Sequence, residues 1–397
     1  MTQIKNRIRQ LSKKYLPEII QIRRDLHAYP ELSTQEFKTS GYIASFLSDL
    51  NIPIRRGIAK TGLTGLIEGK NPLSKVVGLR SDMDALPIQE LNDIPYKSTV
   101  KGVMHACGHD VHMASLLGAA KILNGLKDDF EGSVKLIFQP SEEKYPGGAI
   151  RMIEEGVLED PVVEKMYGLH VFPALQAGKV GMKEGKYMAS TDELFFTVKG
   201  RGGHGATPDL NIDPVVIAAY IILALQQIVS RHANPVNPTV LSIGRVLADG
   251  KTNIIPDFVK MEGVMRTFDE NWRKEMQQKI IQLGNSIAES MGGSCDVSIA
   301  KGYPYLVNDI ETTKKVRQYA EEYLGNENVE ELEMRMTSED FAYFSQKVPA
   351  CFYRLGVRNE AKGITANLHS PTFNVDENSL ETGMGMMAWI AVKELSL

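Results

Sequence analysis

Val134-Lys135-Leu136-Ile137-Phe138-Gln139-Pro140-Ser141-Glu142-Glu143 is a short apolar run that stops at a proline and delivers two adjacent carboxylates. Residues of this apolar, branched character read as a buried strand, and Pro140 ends it because proline has no N–H to give to a ladder. The same grammar repeats outward. Residues 62–68, 76–80, 166–171 and 351–356 are further short apolar runs, and residues 111–126 and 149–155 have helical apolar spacing. Residues 4–26 and 35–50 are helical too, with Pro30 and Ser33 marking the break between them. Strands alternating with helices predict an α/β sheet with helices on both faces.

The middle of the chain follows another order. Residues 192–200 form a strand, 213–231 a helix, 239–248 and 258–267 strands, 270–291 a helix and 295–302 a strand. This β-α-β-β-α-β order is the ferredoxin-like pattern. The expected organisation is therefore a catalytic α/β domain of residues 1–187 and 303–397, with a ferredoxin-like α+β domain of residues 188–302 inserted in it. A length of 397 residues suits two domains.

Composition narrows the function class. Hydrophobic residues make up 43%, charged residues 24%, and the formal net charge is −4 with both signs mixed along the chain. No basic face or tail suggests a nucleic-acid partner. The longest apolar run, residues 214–225, is shorter than the roughly 20 residues a bilayer span needs, so no membrane partner is expected. The first twenty residues are charged throughout and lack the apolar core of a signal peptide. Cys107, Cys295 and Cys351 are too few and scattered for a disulfide framework, which leads us to expect a cytoplasmic protein.

Chemistry concentrates in four places. Met104-His105-Ala106-Cys107-Gly108-His109-Asp110-Val111-His112 sets a thiol and an imidazole two residues apart at a helix start, a pairing that zinc and related metals accept. Glu142 and Glu143 follow a strand, at the edge where open α/β sheets bind ligands. One such carboxylate can bind metal while its neighbour holds a water as general base. His170 ends another apolar strand, and His369 lies in the loop Asn367-Leu368-His369-Ser370-Pro371. Taken singly, each fits a structural role as well as a catalytic one. Together they offer five ligands and a spare carboxylate, which is what a dinuclear site requires.

At these residues the sequence resembles the M20 family of metallopeptidases, in its amidohydrolase branch of N-acyl-amino-acid, hippurate and auxin-conjugate hydrolases. The likeness runs through Arg24-Asp25-Leu26-His27, Pro30-Glu31-Leu32-Ser33 and Arg80-Ser81-Asp82-Met83-Asp84-Ala85-Leu86-Pro87. It continues through Met104 to His112, Pro140 to Glu143, Gly200-Arg201-Gly202-Gly203-His204-Gly205-Ala206, Asn253-Ile254-Ile255-Pro256, Ser338-Glu339-Asp340-Phe341 and Leu368 to Pro371.

The resemblance implies Cys107, His109, Glu143, His170 and His369 as ligands of two divalent ions, zinc or manganese with cobalt and nickel as further candidates, and Cys107 in the bridging place. It implies Glu142 as general base and Asp84 as a support near the metals, with His105 and His112 flanking the site without binding metal. It implies that His204 reaches the partner subunit's active site to stabilise an oxyanion, that Asn253 and Arg266 grip the substrate carboxylate, and that the working unit is a homodimer formed through the inserted lid domain. Ser338-Glu339-Asp340 also fits a helix N-cap followed by first-turn acids. The expected substrate is a small N-acyl amino acid. The rival readings are a dipeptidase or aminopeptidase, for which Glu339 or Asp340 would receive the free amine, and a non-catalytic metal or peptide binder.

Overall fold

The strand Ser133–Gln139 lies inside an eight-stranded sheet, between Gly62–Glu68 and Val76–Asp82. From edge to edge the order is Ile54–Ile58, Gly62–Glu68, Ser133–Gln139, Val76–Asp82, Lys165–Gln176, Ala350–Arg358, Val180–Met182 and Val329–Glu331. The four strands from Ser133–Gln139 to Ala350–Arg358 are parallel. Every residue of Val76–Asp82 and Ser133–Gln139 is buried, as parallel strands covered on both faces require. Mixed α/β architecture is therefore what the chain adopts.

The computed structural model describes residues 1–396, which divide into two units. The sheet belongs to the first, made of Met1–Tyr187, Val307–Met334 and Asp340–Leu397. Its central helix, His109–Asn124, is buried on nearly every side between the helices Thr2–Ala28 and Ser379–Leu395. A helix apolar all round belongs in such a place.

Register decides where the chemistry falls. Asp82 stands opposite Gln139, and Arg80 opposite Gly168. Two residues further along both strands, His170 comes level with Asp82. Because these strands run the same way, Asp82 and the Pro140–Glu143 turn emerge at one edge of the sheet, level with His170, which lies inside the longer strand Lys165–Gln176 and not at its end as expected.

The second unit is Met188–Leu306 with Arg335–Glu339. Its four-stranded antiparallel sheet has the order Thr239–Ala248, Phe258–Thr267, Asp192–Lys199, Ser294–Lys301. Burial alternates strictly along Asp192–Lys199, so one face is covered and the other open. The helices Pro214–Gln227 and Glu270–Ser290 begin at Asp213 and Asp269, whose carboxylates each accept two backbone N–H groups of the first turn. The stretch expected as one helix over 213–231 is α-helical only to Gln227 and then loosens into a π-turn, Ile228–His232. By length and composition Pro214–His232 resembles a membrane span, with a mean hydropathy of 1.6. Ile217, Ile221, Leu225 and Ile228 nevertheless sit in the core of this unit, while Val216, Tyr220 and Leu223 are exposed.

Candidate metal centre

Three potential ligands come from tight backbone positions. Gly108 caps the central helix in the left-handed region, with φ 80°, and a Cβ there would lie 2.5 Å from Val171 Cγ2. Only glycine lets the chain turn this closely, and the turn sets Cys107 and His109 on either side of it. His369 also takes a left-handed φ of 60°, and its N–H donates to the Ala106 carbonyl at 2.8 Å, which ties the C-terminal loop to the cysteine turn.

The side chains converge. Cys107 Sγ lies 3.4 Å from His170 Nε2, and His369 Nε2 lies 3.4 Å from Glu143 Oε1. His109 Nε2 is 4.0 Å from both Glu142 Oε2 and Glu143 Oε1. Ligand atoms of Cys107, His109 and His170 lie within 4.8 Å of one another, as do those of Cys107, Glu143 and His369. Cys107 is common to both groups.

Hydrogen bonds sort the histidines. His170 Nδ1 donates to the Val171 carbonyl at 2.7 Å, which leaves Nε2 as the lone-pair nitrogen facing Cys107. Burial holds His170 well below the usual histidine range, and Arg354 and His112 reinforce this, so the ring is neutral. His112 is committed at both ends: Nε2 accepts the Val171 N–H at 2.9 Å, and Nδ1 therefore carries the proton that it donates to Asp82 at 2.6 Å. His109 has no hydrogen-bond partner at either ring nitrogen, although Asp84 Oδ1 is 3.4 Å from Nδ1. His105 is buried with both ring nitrogens unpartnered, and burial pulls it down to about 3.

The site is rich in negative groups. Burial alone would lower His109, but Asp82, Asp84 and Glu143 outweigh it and push the ring up to about 10. Burial pushes the Cys107 thiol well up, and Glu143, Glu142 and Asp82 add to the effect. Glu143 Oε1 is buried without a hydrogen-bond donor. A buried thiol, an unpartnered imidazole and an undonated carboxylate oxygen, all within reach of one another, are a donor set that divalent cations fit.

Further acidic residues order this arrangement and its surroundings, and of these Glu36 was not singled out from the sequence. Asp84 accepts the backbone N–H groups of Glu142 and Glu143 at 2.9 and 3.0 Å and the Ser33 hydroxyl at 2.6 Å. The sequence marked it only as a support. Glu36 accepts the N–H of Ser141 at 2.9 Å, and no motif signalled it. Asp110 belongs to a different network, receiving Arg23 Nε at 2.6 Å and His27 Nδ1 at 2.8 Å. Asp340 takes Arg80 Nη2 at 2.8 Å, Gln139 Nε2 and the Ala149 N–H. The N-cap reading of Ser338-Glu339-Asp340 is corrected here: the short helix that follows, Ala342–Ser345, has no side-chain cap.

The remaining candidates lie in the second unit. His204 is exposed and held in a two-residue strand paired with Ile254–Ile255, not in a free loop. Its Nδ1 accepts the Ala206 N–H at 3.0 Å, so in the neutral ring Nε2 carries the proton. Asn253 is its neighbour, accepting the Gly205 N–H on its carbonyl at 2.9 Å. Arg266 donates to the Met336 carbonyl at 2.9 Å and lines a cleft with Val240, Arg335, Met336 and Thr337. Asn253 precedes the strand Phe258–Thr267 and Arg266 is near its end.

Comparison with known proteins agrees with this geometry. The model of peptidase family M20/M25/M40 matches residues 78–393. Thermostable carboxypeptidase 1 of Saccharolobus solfataricus is 40% identical over 393 residues, 98% of each chain. N-acetyl-L-cysteine deacetylase of Bacillus subtilis is 38% identical over 363 residues, covering 91% of this chain and 85% of its own. A solved Bacillus subtilis structure, described as a dinuclear metal binding peptidase from the M20 family, aligns with a TM-score of 0.82 at 34% identity over 97% of this chain and 100% of its own. The chain belongs to peptidase family M20/M25/M40 and is a hydrolase acting on amide bonds.

Proposed function

We propose that the protein hydrolyses the amide bond of N-acyl amino acids, with Glu142 as general base and Cys107, His109, Glu143, His170 and His369 holding two divalent ions. The observation that carries this reading is the arrangement at Glu142 and Glu143. Two adjacent carboxylates are pinned by one buried aspartate, both lie 4.0 Å from His109, and Glu143 also reaches His369. Our reading takes Glu143 as the ligand and Glu142 as the base. The relatives support the substrate class, because an N-acetyl-cysteine deacetylase and a carboxypeptidase both release an amino acid with a free carboxylate.

Zinc or manganese, with cobalt or nickel as alternatives, would supply Lewis-acid polarisation of the amide carbonyl and make water a nucleophile near neutral pH. Glu142 takes the proton of the attacking water and passes it to the leaving nitrogen. Asp84 keeps Glu142 in place for both transfers by holding its backbone N–H. His204, with its proton on Nε2, donates to the developing oxyanion. Arg266 receives the substrate carboxylate, a task suited to a planar, permanent cation.

The second unit serves as a ferredoxin-like lid and dimerisation element, and its strand order supports the reading. So does its surface. Val216, Tyr220 and Leu223 form an exposed apolar stripe on one helix, and Thr239–Ala248 is an edge strand with exposed residues from Gly244 onward. In the proposed dimer, His204 and Asn253 of one subunit complete the site of the other. Of the two acids that the aminopeptidase reading offers, both oxygens of Asp340 are taken by Arg80, Gln139 and Ala149, which leaves Glu339 as its candidate.

The test is hydrolysis of N-acetyl, N-benzoyl and indole-acetyl amino acids, blocked peptides and dipeptides by the metal-reconstituted protein, with Glu142→Gln beside it. Acyl amino acids should turn over, and the variant should lose roughly 10²–10⁴-fold in kcat with its metal content unchanged. Activity confined to peptides would move the assignment to a carboxypeptidase or dipeptidase. Tight metal binding without any turnover would leave a binding protein.

A further inference from the structure

Three consecutive backbone N–H groups in the turn after Gln139 are taken by two buried carboxylates. Asp84 accepts those of Glu142 and Glu143, and Glu36 accepts that of Ser141 at 2.9 Å. Glu36 comes from the connection before the helix Phe37–Asp49, far from the turn in sequence. It is fully buried and is itself held from two further directions, by the Thr34 N–H at 3.0 Å and the Thr61 hydroxyl at 2.7 Å.

Ser141 is the residue in need of holding. Its φ is 55°, the left-handed region that an L-residue enters only when its surroundings impose it. The Gly148 N–H closes on the Ser141 carbonyl at 3.0 Å, so both backbone groups of Ser141 are fixed. Glu36 has no cationic partner among the described residues, only hydrogen-bond donors. Burying an acid without a countercharge is unfavourable. What Glu36 contributes is therefore its acceptor oxygens.

We propose that Glu36 is a positioning residue for Glu142: it holds Ser141 in the left-handed conformation that makes Glu142 leave the turn toward His109. The proposal rests on the reading of Glu142 as general base. Glutamine at this position keeps an acceptor for the Ser141 N–H, whereas alanine removes it.

The experiment compares Glu36→Ala and Glu36→Gln in the full, metal-loaded chain. It reads metal content, kcat and KM on N-acetyl and N-benzoyl amino acids, and amide hydrogen exchange across residues 138–147. Glu36→Ala should lower kcat about 10- to 100-fold, because small misplacements of a reacting group are that expensive. KM should stay within about threefold and metal content should not change. Exchange at Ser141, Glu142 and Glu143 should quicken about tenfold or more as the turn is released. Glu36→Gln should restore both exchange and kcat.

Unchanged exchange in Glu36→Ala overturns the proposal, and so does faster exchange with a wild-type kcat. Loss of metal in parallel with kcat also overturns it, since Glu36 would then support ligands and not the base. Glu36→Gln as impaired as alanine would show that charge, not position, matters. If Glu36→Ala does not fold, Thr61→Val removes only the hydroxyl that orients Glu36. It must show the same pattern at smaller amplitude, or the proposal falls. If the wild-type protein turns over none of these amides, the functional reading fails while exchange still decides whether Glu36 holds the turn.

Discussion

Gly108→Ala tests whether one close approach governs both stability and metal binding. The left-handed φ of 80° would cost an alanine about 1–2 kcal/mol. The new Cβ would also sit 2.5 Å from Val171 Cγ2, and overpacking of this kind costs about 1–3 kcal/mol. Together these predict a loss of about 2–5 kcal/mol and a fall in Tm of roughly 3–9 °C. Val171 is also the hub of the histidines, since its N–H fixes His112 and its carbonyl fixes His170. Displacing it should weaken metal affinity about 10- to 100-fold, measured by competition with a chelator. Val171→Ala removes the clashing methyl groups, so in that background Gly108→Ala should retain only the backbone part, about 1–2 kcal/mol. An equal penalty in both backgrounds would refute the steric argument. Wild-type metal affinity in the single variant would refute the link through Val171.

Two further predictions concern the rest of the molecule. Glu394 is buried against Lys165 at 2.7 Å and Tyr319 at 3.1 Å; burial alone would raise its carboxyl, but these partners hold it below its ordinary value. A depressed carboxylate stabilises above its unfolded pKa and loses that contribution as pH falls through the folded value. Glu394→Gln should therefore lower stability by about 1–3 kcal/mol at pH 7, with the gap to wild type closing below about pH 4 in thermal melts. Leu223→Glu, at a side chain 70% exposed, should leave Tm within about 2 °C while sedimentation shows monomer and activity collapses; a fully active monomer would remove the cross-subunit role of His204.

What the sequence conveyed depended on how strongly local pattern constrained each element. Residues 76–80 and 134–139 read as strands because central strands buried on both faces are short apolar runs. Ser379–Leu395 escaped for the opposite reason. It contains Gly383 and Gly385 and is buried almost all round, so it has no amphipathic period to detect. The short strands Val180–Met182 and Val329–Glu331 exist only through pairing with distant neighbours. At the site, residue chemistry was legible: Cys107, His109, Glu142, Glu143, His170 and His369 do come together. Of their supports only Asp84 was marked. Glu36 acts through a backbone group of a segment far away in sequence, and no spacing rule reports such a contact.

A site shared between two chains, as proposed for His204, has a consequence for inheritance. If a complete site draws Arg266 from one chain and Asn253 from another, lesions at the two positions belong to different complementation groups within one gene. A dimer of an Arg266→Met chain with an Asn253→Ala chain carries one site with both defects and one with neither. Randomly re-assorted, two inactive preparations would recover about a quarter of the wild-type rate, because half the dimers are mixed and each has one intact site. In the proposed dimer the unit of function is the pair of chains.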